Sequence, residues 1–327
     1  MYKNTKIVTG IRPSSNLTLA NFIGSVMPLL QLQELGLPTS VFVATMHGLT
    51  DHEPKQIVPN VIEVAHDYLT LGLDPKKVTI FDQRDVRNEV ALLKLYLERH
   101  VTIARMVRVP TLKEKLRQGQ TPEQASALLA AYPIMMAADI FLQEATLVSV
   151  GKDQFSHMEV ARELARNFNK KYGRTLFVPE TMNQDEPVNI LSLVGDGKMS
   201  KSKPEGAIFL TDNADTVRQK MKRAQTANPG ERSEQIDSLT VLSKTLSPDR
   251  TADIDAVLKQ HNDGKKVMVN FKELMTEIIL DFTISFQKRR QKISEEEVCK
   301  VLSEGGVVAK KRAQSTLRKV EIALGMI

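Results

Sequence analysis

Two rhythms of apolar residues alternate along the first half of the chain. Lys6-Ile7-Val8-Thr9-Gly10-Ile11 is a short apolar run of strand length, and Arg12-Pro13-Ser14-Ser15-Asn16 carries turn residues. Leu19, Phe22, Ile23, Val26, Leu29, Leu30 and Leu32 then fall at helical spacing between Leu17 and Leu35. The change repeats. Ser40 to Met46 predicts a second strand, Lys55 to Leu71 a helix, Val78 to Phe81 a third strand and Thr146 to Val150 another. Alternation of this kind argues for an α/β fold with a parallel, doubly wound sheet, which places ligands just beyond the carboxyl ends of the strands. Pro28 lies inside the first helix and predicts a bend, because its ring crowds the carbonyl of Gly24 four residues earlier.

Glu89 to Val107 and Pro122 to Ala131 also have helical spacing and flank a basic segment, Pro110 to Gly119. They read as helices inserted into the sheet topology, over about residues 85–131. The strand at Thr146 runs into an amphipathic helix with Phe155, Met158, Ala161, Leu164, Ala165 and Phe168 on one face. Past Pro204 the pattern is helical only. Asp215 to Ala224, Ile254 to Gln260, Lys265 to Arg290, Ser294 to Leu302 and Val308 to Leu324 are the clearest segments, the last with basic residues beside a stripe of Ala309, Ala313, Leu317, Val320 and Leu324. The expected organisation is a sheet-bearing domain over residues 1–205 and an all-helical domain over 206–327.

Bulk properties narrow the classes. A chain of 327 residues has room for two domains, and its 42% apolar residues include no run of membrane-spanning length. The first residues lack the apolar block of an export signal, so a soluble cytoplasmic protein with no membrane partner is expected. One cysteine, Cys299, forbids an internal disulfide, and six scattered histidines form no zinc or iron–sulfur pattern. No protein-bound metal is expected. The net charge of +6 favours an anionic partner, and the absence of Trp, with 5 Tyr and 11 Phe, favours gripping a nucleic acid through its backbone over stacking on its bases.

Candidate chemistry clusters at strand ends and in one basic loop. Gly195-Asp196-Gly197-Lys198-Met199-Ser200-Lys201-Ser202-Lys203-Pro204 sets lysines between small polar residues and reads as a mobile cationic arm suited to polyphosphate. On charge alone a solvated basic loop is the ordinary reading of such a stretch. Thr18 and Asn21 stand at the start of the first helix, where outward N–H groups suit phosphate, although such residues also serve as N-caps. Asp139 is a carboxylate in the apolar run Tyr132 to Ile140, so it needs a donor, unless a salt bridge or an exposed helix face accounts for it. Nothing resembles a Ser-His-Asp or Cys-His set.

The Lys-Met-Ser-Lys-Ser order resembles the signature loop of the class I aminoacyl-tRNA synthetases. Thr18-Leu19-Ala20-Asn21 stands where that family carries a His-Ile-Gly-His type tetrapeptide, and Thr and Asn at its ends are similar to the tryptophan branch. Tyr132 to Ile140 and Leu147-Val148-Ser149-Val150-Gly151-Lys152-Asp153-Gln154 are similar to the same branch, so the resemblance runs from about Lys6 to Pro204. It implies a Rossmann-like catalytic domain, a helical anticodon-binding domain and ATP with Mg²⁺ as substrate. The implied partners are L-tryptophan and tRNA, and a homodimer would form around Glu89 to Val107 through Leu92, Leu93, Leu95, Tyr96 and Val101.

By the same resemblance, Lys198 and Lys201 stabilise the leaving pyrophosphate, with Thr18 and Asn21 on the nucleotide. Gly10, Arg12, Lys115, Gly151, Asp153 and Met199 complete the ATP site. Asp139 would take the indole N–H, Tyr132 and Gln154 the α-amino group, and His47, Met136, Val148 and Val150 would line the amino-acid pocket. Taken alone, His47 is more often structural, the apolar three are core residues, and Asp153 sits where a helix cap belongs. Ala20, Arg12, Ser15, Lys152 and Val8 depart from residues common in the family. The implied activity is amino-acid activation by ATP followed by transfer to tRNA. A tyrosyl-type synthetase and a non-charging paralogue that binds RNA or nucleotide are the alternatives.

Overall fold

A computed structural model describes residues 5–14, 16–50, 52–110, 112, 116, 121–182 and 189–327, with the side chain of Lys152 left aside. Among the described residues five strands form one sheet: β1 (Ile7–Ile11), β2 (Thr39–Val43), β3 (Val78–Asp82), β4 (Leu147–Ser149) and β5 (Glu180–Met182). All neighbours are parallel and the order is β3-β2-β1-β4-β5. The chain therefore winds outward in one direction from β1 and then in the other from β4. Their carboxyl ends flank the switch point at which such sheets hold ligands. The sheet is covered on both faces, and alternate residues serve the two cores. Ile7, Val41 and Ile80 pack on one side, while Val8, Phe42 and Phe81 pack on the other.

The first core runs from the sheet through Val61, Val64 and Tyr68 into residues beyond 205, including Val217, Phe271, Met275 and Ile278. The second is built by the helices Arg87–Glu98, Tyr132–Leu142 and Phe155–Tyr172. Two elements escape the sequence pattern. β5 has only three residues, with Glu180 exposed, and is too short for a periodic signal. Helix Glu234–Leu246 has Ser and Thr at buried positions, which breaks its apolar stripe.

Three predicted helices form differently. The stretch from Leu19 is an α-turn (Leu19–Asn21), a π-helical turn (Phe22–Val26) and an α-helix (Met27–Glu34), with the Met27 N–H donating to the Phe22 carbonyl. The wider turn puts Pro28 in the first turn of the next helix, where its missing N–H costs nothing. Glu89 to Val107 divides into Arg87–Glu98 and Ile103–Met106 because Thr102 caps the second piece, its hydroxyl accepting from Arg105 N at 3.2 Å. Pro122 to Ala131 likewise divides into a 3-10 turn, Pro122–Gln124, and the helix Ala127–Ala130, capped by Ser126.

The last correction has the largest structural consequence. Ser294 to Leu302 and Val308 to Leu324 are one helix, Glu295–Leu324, continuous through Gly305 and Gly306. A Cβ on Gly305 would lie 1.8 Å from the Ile80 carbonyl oxygen, and one on Gly306 would lie 2.4 Å from Asp85 Oδ2. These glycines permit close packing on β3 and on the turn that follows it. The helix joins both cores, with Val298 and Leu302 in the first and Ala309, Ala313 and Val320 in the second. Among the described residues no helix is long and apolar enough to cross a membrane.

Gly305→Ala should destabilise the fold by about 1–3 kcal/mol, because the obstructing atom is backbone and cannot swing aside. The check is urea unfolding: a lowered midpoint is expected, and an unchanged or raised one contradicts the packing account.

Candidate active site

Asp139 lies on the helix Tyr132–Leu142, where every residue from Pro133 to Leu142 is buried. Its carboxylate is 4% exposed, so protein donors must replace water. Gln83 supplies one, its Nε2 donating at 2.9 Å to Oδ1 and 2.8 Å to Oδ2. His47 supplies the other, with Nε2 2.8 Å from Oδ2. The carboxylate can only accept, so the His47 proton is on Nε2 in this arrangement. His47 Nδ1 is buried without a partner. Of the two sequence alternatives for Asp139, the exposed helix face fails because the residue is buried, while an internal ion pair is present as the His47 contact whenever that imidazole is protonated.

The donors are placed by the ends of β2 and β3. Asp82 closes β3 and caps the 3-10 turn Gln83–Val86, and its Oδ1 accepts from Arg84 N at 2.9 Å and from Thr45 Oγ1 at 2.6 Å. Thr45 begins the short helix Thr45–Gly48 that carries His47. Gln83 is fully buried, and its Oε1 accepts from the Met46 N–H at 2.9 Å and the His47 N–H at 3.4 Å. Two strand ends are thus stapled twice.

From His47 the contacts continue toward β4. The Tyr132 ring meets His47 edge-on at 4.3 Å between centroids and His157 at 5.2 Å. His157 Nδ1 is 2.8 Å from Gln154 Oε1, and Gln154 Nε2 donates to Asp153 Oδ2 at 2.7 Å. Asp153 is exposed just past β4. Met136 and Val148 belong to the second core, and Val150 is half-buried against it. Asp139, His47, Tyr132, Gln154 and Asp153 are therefore brought into one line of contacts. Sequence reasoning missed Gln83 and His157. Gln83 directly follows a strand, the position to inspect in such a fold, but an uncharged amide in no motif gave no other signal.

On the nucleotide side, Gly10 is exposed on β1, and a Cβ there would come 2.9 Å from the Phe42 ring. Gly151 is exposed after β4, and a Cβ there would come 2.6 Å from Asp153 Oδ1. Both leave backbone open at the switch point between β1 and β4. Arg12 is exposed beside them. The helix tip departs from expectation. Thr18 and Asn21 cap each other, with Thr18 N donating to Asn21 Oδ1 at 3.1 Å and Asn21 N to Thr18 Oγ1 at 3.2 Å. The Leu19 N–H donates to the Ile208 carbonyl at 3.0 Å. These N–H groups do not face outward, because residues 208–210 run antiparallel to Leu17 and Thr18 and cover them.

The lysine arm is a tethered hairpin. Leu191 and Lys198 are bridged, Ser192 N donates to Gly197 O at 2.9 Å, and Met199 N donates to Ile190 O at 2.8 Å. Gly195 and Gly197 make its tip with φ of +67° and +96°, which L side chains rarely adopt. The Met199 side chain is buried in the first core beside Leu193, Leu239 and Leu242, so only its backbone is available to a nucleotide. Lys198 is exposed. Lys201 turns back to the loop after β1, where Nζ donates to Ser14 O at 3.0 Å and Ser14 Oγ at 3.1 Å. Burial lowers its pKa from the ordinary lysine value, and the negative charge of Asp67 works against that shift. Asp67 is itself raised by burial, although Arg290 Nε donates to it at 2.8 Å. Lys115 and Ser15 lie outside the described residues.

Comparisons with known proteins identify the family. The family described as tRNA synthetases class I (W and Y) matches residues 2–317. A tryptophan–tRNA ligase of Porphyromonas gingivalis is 34% identical over 334 residues, covering 98% of both chains. One of Caldanaerobacter subterraneus is 33% identical over 329 residues, again covering 98% of both. The tryptophanyl-tRNA synthetase of Campylobacter jejuni, solved in complex with ADP and tryptophan, superposes with a TM-score of 0.85 at 25% identity, over 98% of this chain and 100% of that one. The match extends well past the lysine hairpin into the helices that share its core, and on that evidence the chain belongs to the class I tRNA synthetases of the tryptophan and tyrosine group.

Proposed function

We propose that this enzyme is a tryptophan–tRNA ligase that selects its amino acid through Asp139 and activates it with ATP. The single observation that carries the reading is the carboxylate of Asp139, buried and held by two side-chain donors, Gln83 and His47, neither of them Lys or Arg. Such a group offers a charged acceptor to an N–H brought by the substrate. Phenylalanine would bring no N–H to the acceptor position that the protein leaves open, and a site built to hydrogen-bond a substrate N–H rejects an analogue lacking it by orders of magnitude. The relatives named above as tryptophan–tRNA ligases support the choice of tryptophan over tyrosine.

In the first step the tryptophan carboxylate attacks the α-phosphorus of ATP, the α–β bridge breaks and pyrophosphate departs. In the second, a terminal ribose hydroxyl of tRNA attacks the acyl carbonyl and AMP leaves. Neither step needs a protein nucleophile; orientation and neutralisation of the leaving charge suffice. Tyr132 and Gln154 orient the α-amino group, and Asp153 holds the ribose. The nucleotide lies over Gly10 and Gly151 with Arg12 nearby, and Mg²⁺ arrives with its phosphates. Thr18 and Asn21 brace the helix tip beside it.

Lys198 and Lys201 approach the triphosphate from the hairpin. Lys201 already reaches the β1 loop and would exchange Ser14 for phosphate oxygens. The helices after residue 205 would receive the tRNA, largely through salt-dependent phosphate contacts. A homodimer would use the exposed Leu95 and Ile103, since Leu93 is fully buried in the chain's own core.

ATP–pyrophosphate exchange should require tryptophan, and exchange supported by tyrosine alone contradicts the reading. Lys201→Ala should slow adenylate formation by about two to three powers of ten while leaving tryptophan affinity nearly unchanged; an unaltered exchange rate removes Lys201 from the mechanism. The protonated lysine is the active form and burial lowers its pKa. kcat/KM for ATP should therefore fall as pH rises, at a pH below the ordinary lysine value of about 10.4, and Lys201→Arg should move that decline upward.

A further inference from the structure

We infer that Gln83 is a positioning residue for amino-acid selection, holding the Asp139 carboxylate in the one orientation that presents Oδ1 to the substrate N–H. The inference rests on the assignment of Asp139 to the indole and adds what makes that acceptor selective. A carboxylate rotates easily about its last bond, and a misdirected acceptor discriminates poorly. Here the rotation is stopped. Gln83 Nε2 reaches both oxygens, at 2.9 and 2.8 Å, while His47 Nε2 takes Oδ2 at 2.8 Å. A carboxylate has about four acceptor positions, so the larger unmet capacity lies on Oδ1.

The amide itself cannot flip. Its Oε1 accepts the Met46 and His47 N–H groups, so reversal would set an NH₂ group against two donors and a carbonyl against a carboxylate. The turn beneath is equally fixed: Asp82 N donates to Asp85 Oδ2 at 3.3 Å, and Gly306 of the last helix leaves no room beside that carboxylate. A neutral amide also suits the task chemically. An arginine in the same place would bind both oxygens and cancel the charge that makes Asp139 a strong acceptor. Gln83 orients the charge without neutralising it.

The test compares tryptophan with the analogue in which sulfur replaces the ring N–H, by ATP–pyrophosphate exchange. Gln83→Met, close in volume and unable to donate, should cut the preference for tryptophan by about tenfold or more, as one misdirected charged hydrogen bond would. The loss should appear in the tryptophan KM, with the ATP KM and the use of the sulfur analogue nearly unchanged. A preference held within twofold overturns the inference, as does an equal loss for both substrates and ATP. Asp139→Ala should abolish the preference, and Gln83→Met added to it should change nothing further. If Asp139→Ala keeps the preference, the indole assignment is what fails. Should Gln83→Met not fold, Gln83→Glu gives a second reading: its tryptophan preference should return as pH falls, when one proton is shared between the two carboxyls. A flat profile, like that of the parent enzyme, overturns the inference.

Discussion

A carboxylate sealed in an apolar helix must be met by donors, and the shape of this site follows from how Asp139 is met. The two donors come from the ends of neighbouring strands, Gln83 after β3 and His47 after β2. Each is locked by a further bond, Gln83 Oε1 accepting from Met46 N and from His47 N, and Thr45 ties the two strand ends together through Asp82. The sheet thus does more than carry the site. Its strand spacing sets the separation of the donors, and its parallel winding puts Asp153 on the other side of the switch point. On the proposed reading, selection by an N–H would be a property of the framework, as precise as the packing that holds the turn.

The cationic half of the site is built with opposite logic. Lys201 Nζ donates to the Ser14 carbonyl and hydroxyl, which hold it at the loop after β1, and the negative charge of Asp67 favours its protonated form. The hairpin that bears it is fastened through the buried Met199 and the paired backbone of residues 190–199. Beneath it, the Asp67 and Arg290 pair ties the helix Pro54–Thr70 to the end of Met268–Arg290. A shift of the later helices would therefore be felt at Lys201, whose protonated form Asp67 favours.

Much of the fold was legible in the sequence. The strand–helix alternation indicated the parallel sheet, and the motif blocks pointed to Asp139 and Asp153, which the structure joins through His47, Tyr132, His157 and Gln154, whereas Thr18 lies at a covered helix tip. The failures have separate physical causes. Gly305 and Gly306 look like a helix stop, yet they are the price of close approach to β3, which only the tertiary structure reveals. Pro28 signals a disturbed helix, and the form it takes, a π-helical turn just ahead of it that sets the proline in the first turn of the next helix, has no signal in the apolar spacing. The arm around Lys198 looks free because glycine and serine carry no packing signal, whereas its anchor is the one methionine in its midst. Gln83 was invisible for a related reason: its role depends on two strand ends meeting, which no local pattern encodes.

The most direct measurement is a crystal structure of the enzyme with tryptophan and a non-hydrolysable ATP analogue. The account predicts the indole nitrogen within about 3 Å of an Asp139 oxygen, with Gln83 still on that carboxylate and the Lys201 ammonium moved from Ser14 to the phosphates. An indole nitrogen satisfied elsewhere, with Lys201 still on Ser14, would contradict it.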